Sequence, residues 1–200
     1  MKKPEPAPGS RKEALTSLAV DLLQDRGFTA LGLRDLAEAA CIKAASLYSH
    51  FESKNALVLQ AMQLYNRHNR DNLAALDHRA TANIRLQDYV QLFIHTLEND
   101  SRLCLGLMLA VERNALSAEI MEQVRIFARQ NTQWIADTWD RGRQDGSIDS
   151  VLTGTVAAPI IFGAAEGMMP FALLQQDPTV TFNQHLGQLL AALGVHRDND

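Results

Sequence analysis

Residues 33–54 read LRDLAEAACIKAASLYSHFESK, and two short helical patterns lie in them with a break of only two or three residues between. The first covers about residues 33–40 and the second about residues 43–50. Helices this short and this close must cross steeply, which is helix-turn-helix geometry. Leu36, Ala37, Ala40, Ile42, Leu47 and Phe51 are spaced to pack both onto a preceding helix. That packing leaves Arg34, Lys43, Ala44, Ala45, Tyr48 and Ser49 facing outward. Small outward side chains let a helix seat in a major groove roughly 12 Å wide, where Arg34 suits a guanine edge and Tyr48 or Ala45 a thymine methyl. Ser53 is a good cap for a fourth helix that Lys54 opens, so a phosphate there meets an ammonium and free N–H groups together. Ser46 and His50 are placed to add phosphate hydrogen bonds, which position a protein without choosing bases. Taken singly, Tyr48 and Phe51 read as core aromatics and Lys54 as a solvated lysine. Taken together at this spacing, the set points to DNA.

Gly27-Phe28, Arg34-Asp35-Leu36-Ala37, Ala40, Ile42, Leu47-Tyr48-Ser49-His50-Phe51, Ser53-Lys54 and Leu57 resemble the TetR family of bacterial one-component regulators, over about residues 11–62. Beyond them the chain resembles the family only in its succession of helices, apart from Leu103-Cys104-Leu105-Gly106, which looks like a segment of one broad subgroup. The resemblance implies that Arg34, Ala44, Ala45 and Tyr48 face bases and that Ser46, His50 and Lys54 face phosphates. Two departures bear on specificity. Leu31 and Gly32 stand where the family usually has a capping Thr, which removes a side-chain cap. Cys41 stands where the turn usually has Gly, and a non-Gly residue in a left-handed turn costs about 1 kcal/mol.

Outward from this segment helical periodicity is nearly continuous and strand-like alternation almost absent, so the chain is expected to be all-α with about nine helices. Ser10 caps a first helix that Gly27 ends. After the fourth helix, at about 53–77, come helices at about 84–98, 101–115, 117–143, 150–174 and 181–193, with breaks at Gly146 and at Asp177-Pro178. Three parts follow: a basic arm at 1–10, rich in proline; a helix-turn-helix domain at 11–55; and a ligand-binding and dimerisation domain at 56–195.

A net charge of -4 argues against a polyanionic partner until its distribution is examined. Residues 1–54 hold eight Lys/Arg against seven Asp/Glu and all five lysines, so the acidic excess belongs to the remainder. Two isolated cysteines, Cys41 and Cys104, exclude a disulfide framework and suggest a reducing compartment. The N-terminus shows no apolar stretch of signal-peptide length, so a cytoplasmic protein is expected. Residues 156–174 are long and apolar enough to suggest a membrane span, but Glu166, Pro159, Pro170, Gly163 and Gly167 favour a buried helix and no membrane partner.

A lone helix-turn-helix binds weakly and usually works as a two-fold dimer on a palindrome. The expected homodimer face comprises Ile160, Ala164, Gly167 and Met168 on one helix and Leu186, Leu189, Leu190 and Leu193 on the next, four helices meeting across the axis. Phe93, Met108, Phe127, Trp134 and Phe162 form either a filled core or the lining of a pocket for a small-molecule inducer, as the resemblance implies. Cys104, Glu112 and Glu166 are the polar groups set among them, and each buried carboxylate needs a partner or a raised pKa. The function read from these features is a ligand-responsive repressor bound to duplex DNA. Two rivals remain: a thiol-based electrophile sensor acting through Cys104, and a helical interaction protein without DNA binding. No nucleophile elbow, phosphate loop or HExxH run is present, so neither catalysis nor a cofactor or metal is expected.

Overall fold

The computed structural model describes residues 8–196, with side chains from Arg11 onward. Residues 1–7, most of the expected basic arm, lie outside the described residues. Helix α1 (Pro8–Ala30) begins inside that arm's expected range, with proline tolerated where no intrahelical N–H bond is needed, and it is broken at the non-helical Gly27, so residues 27–30 form the connection to α2. It is followed by α2 (Leu33–Ala39), α3 (Ala44–Tyr48), α4 (Lys54–Leu76), α5 (Ala82–Glu98), α6 (Leu105–Val111), a 3-10 turn (Arg113–Ala115), α7 (Ala118–Asp145), α8 (Gly154–Ala172) and α9 (Pro178–Ala192), with no strand among the described residues. The chain is all-α, as its periodicity predicts. Helix α6 starts at Leu105 and not near residue 101, because Asp100 and Ser101 hold φ of 57° and 59°, outside the helical range.

The chain forms two compact units that a single cut does not separate. The first holds, among the described residues, those up to 67 and 105–125, so α6 and the start of α7 belong with α1–α3. The second holds residues 68–104 and the described residues from 126 onward. In the first unit α1 packs against α2 and α6, and α2 against α3. Leu15, Ala19, Leu23, Leu36, Leu47 and Phe51 are buried there, the spacing that the sequence requires of a three-helix head. In the second unit α9 packs on α5 and α8.

Helix α8 is 19 residues long and apolar enough by length and composition to cross a membrane. One side of it, including Ala158, Ile161, Ala165 and Met169, is buried, while Val156, Ile160 and Phe171 on the other are exposed, so it is not buried all round as the sequence suggests. Ile160, Ala164, Gly167 and Met168 stay exposed or half-buried, as a pairing face requires. Leu186 and Leu190 do not: both are at most 2% exposed within the single chain, because with Phe182 they form the stripe that seats α9 on α5 and α8. Leu189 and Leu193 are half-buried beside them.

Gly154 at the start of α8 illustrates how tightly the second unit is assembled. Its N–H donates to Asp140 Oδ1 at 2.8 Å, and a Cβ added there would lie 2.3 Å from the carbonyl oxygen of Ala136. Helix propensity favours alanine by roughly 1 kcal/mol, but a backbone oxygen cannot swing aside as a side chain can. Gly154→Ala is therefore expected to destabilise the protein by about 1–3 kcal/mol, lowering Tm by roughly 2–4 °C for each. A thermal melt showing equal or higher Tm would mean that α8 shifts freely.

Candidate functional site

The turn between α2 and α3 closes on backbone hydrogen bonds. Cys41 N–H donates to Glu38 O and Ile42 N–H to Ala37 O, each at 2.9 Å, with Cys41 at φ 53°. This is the left-handed residue that ends many helices, held here by a cysteine despite its Cβ. At the other end of α2, Gly32 is the cap residue and offers no side chain. Asp35 compensates by accepting the Gly32 N–H at 2.7 Å, the reciprocal half of a capping box. A Cβ on Gly32 would stand 2.8 Å from that Asp35 oxygen, so this carboxylate occupies the space where a longer cap residue would begin.

With Leu36, Leu47 and Phe51 buried, the opposite side of the pair is open to solvent. Arg34, Lys43, Ala45, Tyr48 and Ser49 are exposed, and Ala44, Ser46 and His50 are half-buried. Tyr48 is 58% exposed, which removes it from the core, whereas Phe51 is 2% exposed and belongs there. The Ser49 hydroxyl donates to Ser46 O at 2.7 Å, still leaving lone pairs outward. Ser53 Oγ accepts the Ala56 N–H at 3.1 Å and caps α4 as its position predicts.

Lys54 is anchored as well as charged. Its Nζ lies 4.4 Å from the centroid of the Phe28 ring and 3.4 Å from Thr29 O. The ammonium thus stands over the α1–α2 connection with donors to spare, since it carries three. The same connection is held from its other polar side by Glu112. Gly27 turns the chain at φ 77°, ψ -177°, a conformation open in practice only to glycine. The next two N–H groups then meet one carboxylate: Phe28 N–H donates to Glu112 Oε2 at 2.5 Å and Thr29 N–H to the same oxygen at 3.0 Å. A Cβ on Gly27 would sit 3.1 Å from Glu112 Oε1. Glu112 was expected among the pocket residues, but its carboxylate is engaged here, in the first unit. Its separation of 84 residues from Phe28 hides the pairing from any reading of local spacing.

The other expected pocket residues divide. Met108 is half-buried on α6 in the first unit, while Phe93, Cys104, Phe127, Trp134, Phe162 and Glu166 belong to the second. There the aromatics pack in pairs: Phe127 against Phe162 at 5.9 Å and Phe93 against Phe182 at 5.8 Å. Tyr89, not singled out in the sequence, joins them. It stacks on Trp134 at 5.5 Å and meets Phe93 edge-on at 5.4 Å, while its hydroxyl donates to Asn131 Oδ1 at 2.9 Å. Its place on the buried stripe of α5, between Leu86 and Phe93, was the available signal. Cys104 is buried at 2% exposure, and Cys41 is the exposed thiol.

Residues 15–61 match the family described as "Bacterial regulatory proteins, tetR family". Over 56 residues the chain is 41% identical to the HTH-type transcriptional repressor KstR2 of Mycolicibacterium smegmatis, covering 28% of this chain and 27% of that relative. The match to this relative thus spans about a quarter of its length. A longer match, 28% identical over 162 residues, is to the HTH-type transcriptional repressor DhaR of Mycobacterium sp., covering 78% of this chain and 79% of the relative. Among solved structures, a TetR family transcriptional regulator from Agrobacterium tumefaciens shares the fold with a TM-score of 0.87 at 22% identity, over 94% of this chain and 100% of that one.

The Glu112 contact makes a prediction at two amides. Glu112→Ala leaves the buried Phe28 N–H without an acceptor, while water replaces the carboxylate at exposed Thr29, for a stability loss of about 1 kcal/mol. Hydrogen exchange at Phe28 and Thr29 is expected to accelerate more than at any other amide of α1. Unchanged protection at both would show that the carboxylate does not hold the connection.

Proposed function

We propose that this chain is a transcriptional repressor of the TetR type, a reading supported by the match of residues 15–61 to that family's model and by the shared fold. In this reading it binds a palindromic operator as a homodimer and is released by a small molecule. The observation that carries the reading is the outward face of α2–α3. Arg34, Lys43, Ala45, Tyr48 and Ser49 are exposed there on two short helices whose Leu36, Ala37 and Leu47 are buried. Arg34 and Tyr48 are the base-reading side chains, and Lys43, Ala44, Ala45 and Ser49 line the groove with them. Ser46, His50, Ser53 and Lys54 hold phosphates, with Lys54 fixed in register by Phe28.

Two half-sites need two copies, and the exposed side of α8 supports the pairing. Val156, Ile160 and Phe171 are 43–47% exposed along it, and a Cβ added at Gly163 or Gly167 would meet nothing within 4 Å. A second α8 can approach closely over those glycines. Release follows if a ligand binds better to the arrangement that spaces the two heads wrongly for DNA; operator and ligand then weaken each other by the same factor. Helix α4 is the lever in this reading, since it opens with the phosphate-binding Lys54 and its chain runs on to Leu76.

Selection of bound duplexes from a random DNA pool tests the reading, at a stated salt concentration because phosphate contacts are salt-dependent. A palindrome should be enriched, and Tyr48→Ala should lose its binding with Tm unchanged. Loss of Tm together with binding would return Tyr48 to a structural role, and no enrichment by folded protein would remove DNA as the partner. Gly167→Leu separates the dimer from the fold. It should raise helix stability in the subunit yet shift light scattering toward the monomer and weaken operator binding. A wild-type monomer at micromolar concentration would overturn the dimer.

A further inference from the structure

The second unit contains a carboxylate that the fold leaves without an N–H or O–H donor. Glu166 on α8 is 8% exposed, and the weak thiol donor Cys104 is its hydrogen-bonding neighbour. The donors around Tyr89 are committed elsewhere. The Tyr89 hydroxyl goes to Asn131 Oδ1, the Asn131 amide to Phe127 O at 2.9 Å, and Trp134 Nε1–H to Asp77 Oδ1 at 3.1 Å. The charges of Glu166 and Cys104 reach the Tyr89 hydroxyl, and the Tyr89 ring is stacked on Trp134 and edge-on to Phe93. Burial pushes the Glu166 carboxyl up to about 7, against a smaller downward pull from the Cys104 thiol. A buried carboxylate is normally paired or fully hydrogen-bonded, so one served by a weak thiol donor and within electrostatic reach of the Tyr89 hydroxyl lacks a positive group.

We propose that Glu166 is the charge-recognising group of a ligand site in the second unit, and that the ligand carries an organic cation, a quaternary or protonated amine, on an apolar body. The carboxylate supplies the counter-charge and the rings of Tyr89, Trp134 and Phe93 the apolar and cation–π surface. A metal ion is the poorer occupant, since no group of three or more His, Cys, Asp or Glu is gathered among the described residues. An anionic ligand is repelled. The proposal names the inducer class for the repressor reading, on which it rests for its biological consequence though not for its test.

The test is binding of phenyltrimethylammonium and of tert-butylbenzene, the same shape without the charge, to the full chain in the absence of DNA. The cation should bind about tenfold more tightly. Its affinity should fall from about pH 8 to about pH 6 as Glu166 takes up a proton, because the probe itself does not titrate. Tyr89 does not contribute in that range, its hydroxyl being held well above its ordinary value by burial and by the neighbouring Glu166. Cys104→Ser controls for the remaining titratable neighbour and should keep the pH dependence, whereas Glu166→Gln should abolish both it and the preference for charge. If Glu166→Gln does not fold, the wild-type pH profile decides. Equal binding of the two probes, no binding of either, or a pH dependence that vanishes with Cys104→Ser would overturn the proposal. Operator retention without probe is measured separately, so the DNA reading can fail while the cation site stands.

Discussion

The outward face of α2–α3 depends on the burial of Leu47 and Phe51. Helix α3 has five residues, far too few to be helical alone, and neither its cap residue Lys43 nor its first turn supplies a side-chain hydrogen bond. Tertiary packing holds it. Leu47 and Phe51 are at most 2% exposed, and their direction dictates that Lys43, Ala45 and Tyr48 point the other way. Fully burying two side chains of this size contributes on the order of 4 kcal/mol, enough to order a single turn and its flanks. An exposed aromatic such as Tyr48 adds nothing to that anchoring, so its cost in exposed apolar surface is carried by packing on the reverse side of the same turn.

The second constraint is the α1–α2 connection, where charge of both signs converges on three residues. Gly27 frees two successive N–H groups, Glu112 accepts both, and Lys54 sits on the Phe28 ring and the Thr29 carbonyl. The carboxylate and the ammonium do not pair directly; they grip opposite polarities of one backbone segment. Lys54 thereby gains a fixed position, which under the proposed operator reading matters because an unanchored lysine gives up more side-chain entropy on binding. Glu112 closes the short α6 that begins just after Cys104.

What was legible in the sequence follows the range of the interactions involved. The α2–turn–α3 segment is specified by contacts within four residues and by one left-handed position, and its burial pattern was readable down to the split between Phe51 and Tyr48. The break at Gly146 was equally local, with φ at 82°. Long-range contacts were not. Glu112 looked like a polar group on an apolar face because its partners lie 84 residues away. Leu186 and Leu190 form an apolar stripe that periodicity marks for burial, yet periodicity does not say whether the partner is α5 of the same chain or a second copy. The sequence places the start of α6 near residue 101, whereas the backbone at Asp100 and Ser101 turns left-handed and the helix begins only at Leu105.

Glu166 raises a question of energy that the fold alone does not answer. Its carboxyl is raised from an ordinary value of 4.5 to about 7, so the folded protein binds its proton more tightly than the unfolded chain does. Full stability from this group is present below about pH 4.5 and is lost as pH rises through about 7, where the ionised form is buried with a weak thiol donor and no counter-charge paired to it. A shift of this size corresponds to roughly 3 kcal/mol, a large part of the 5–15 kcal/mol that holds a typical domain together. Glutamine would keep the volume and remove that penalty, and leucine would improve the packing. A glutamate at this position makes physical sense if the ionised state is used, and a cationic ligand is what offsets the desolvation of a buried carboxylate. The same ligand then binds only the folded chain, so occupancy raises stability most at the pH where the empty site costs most.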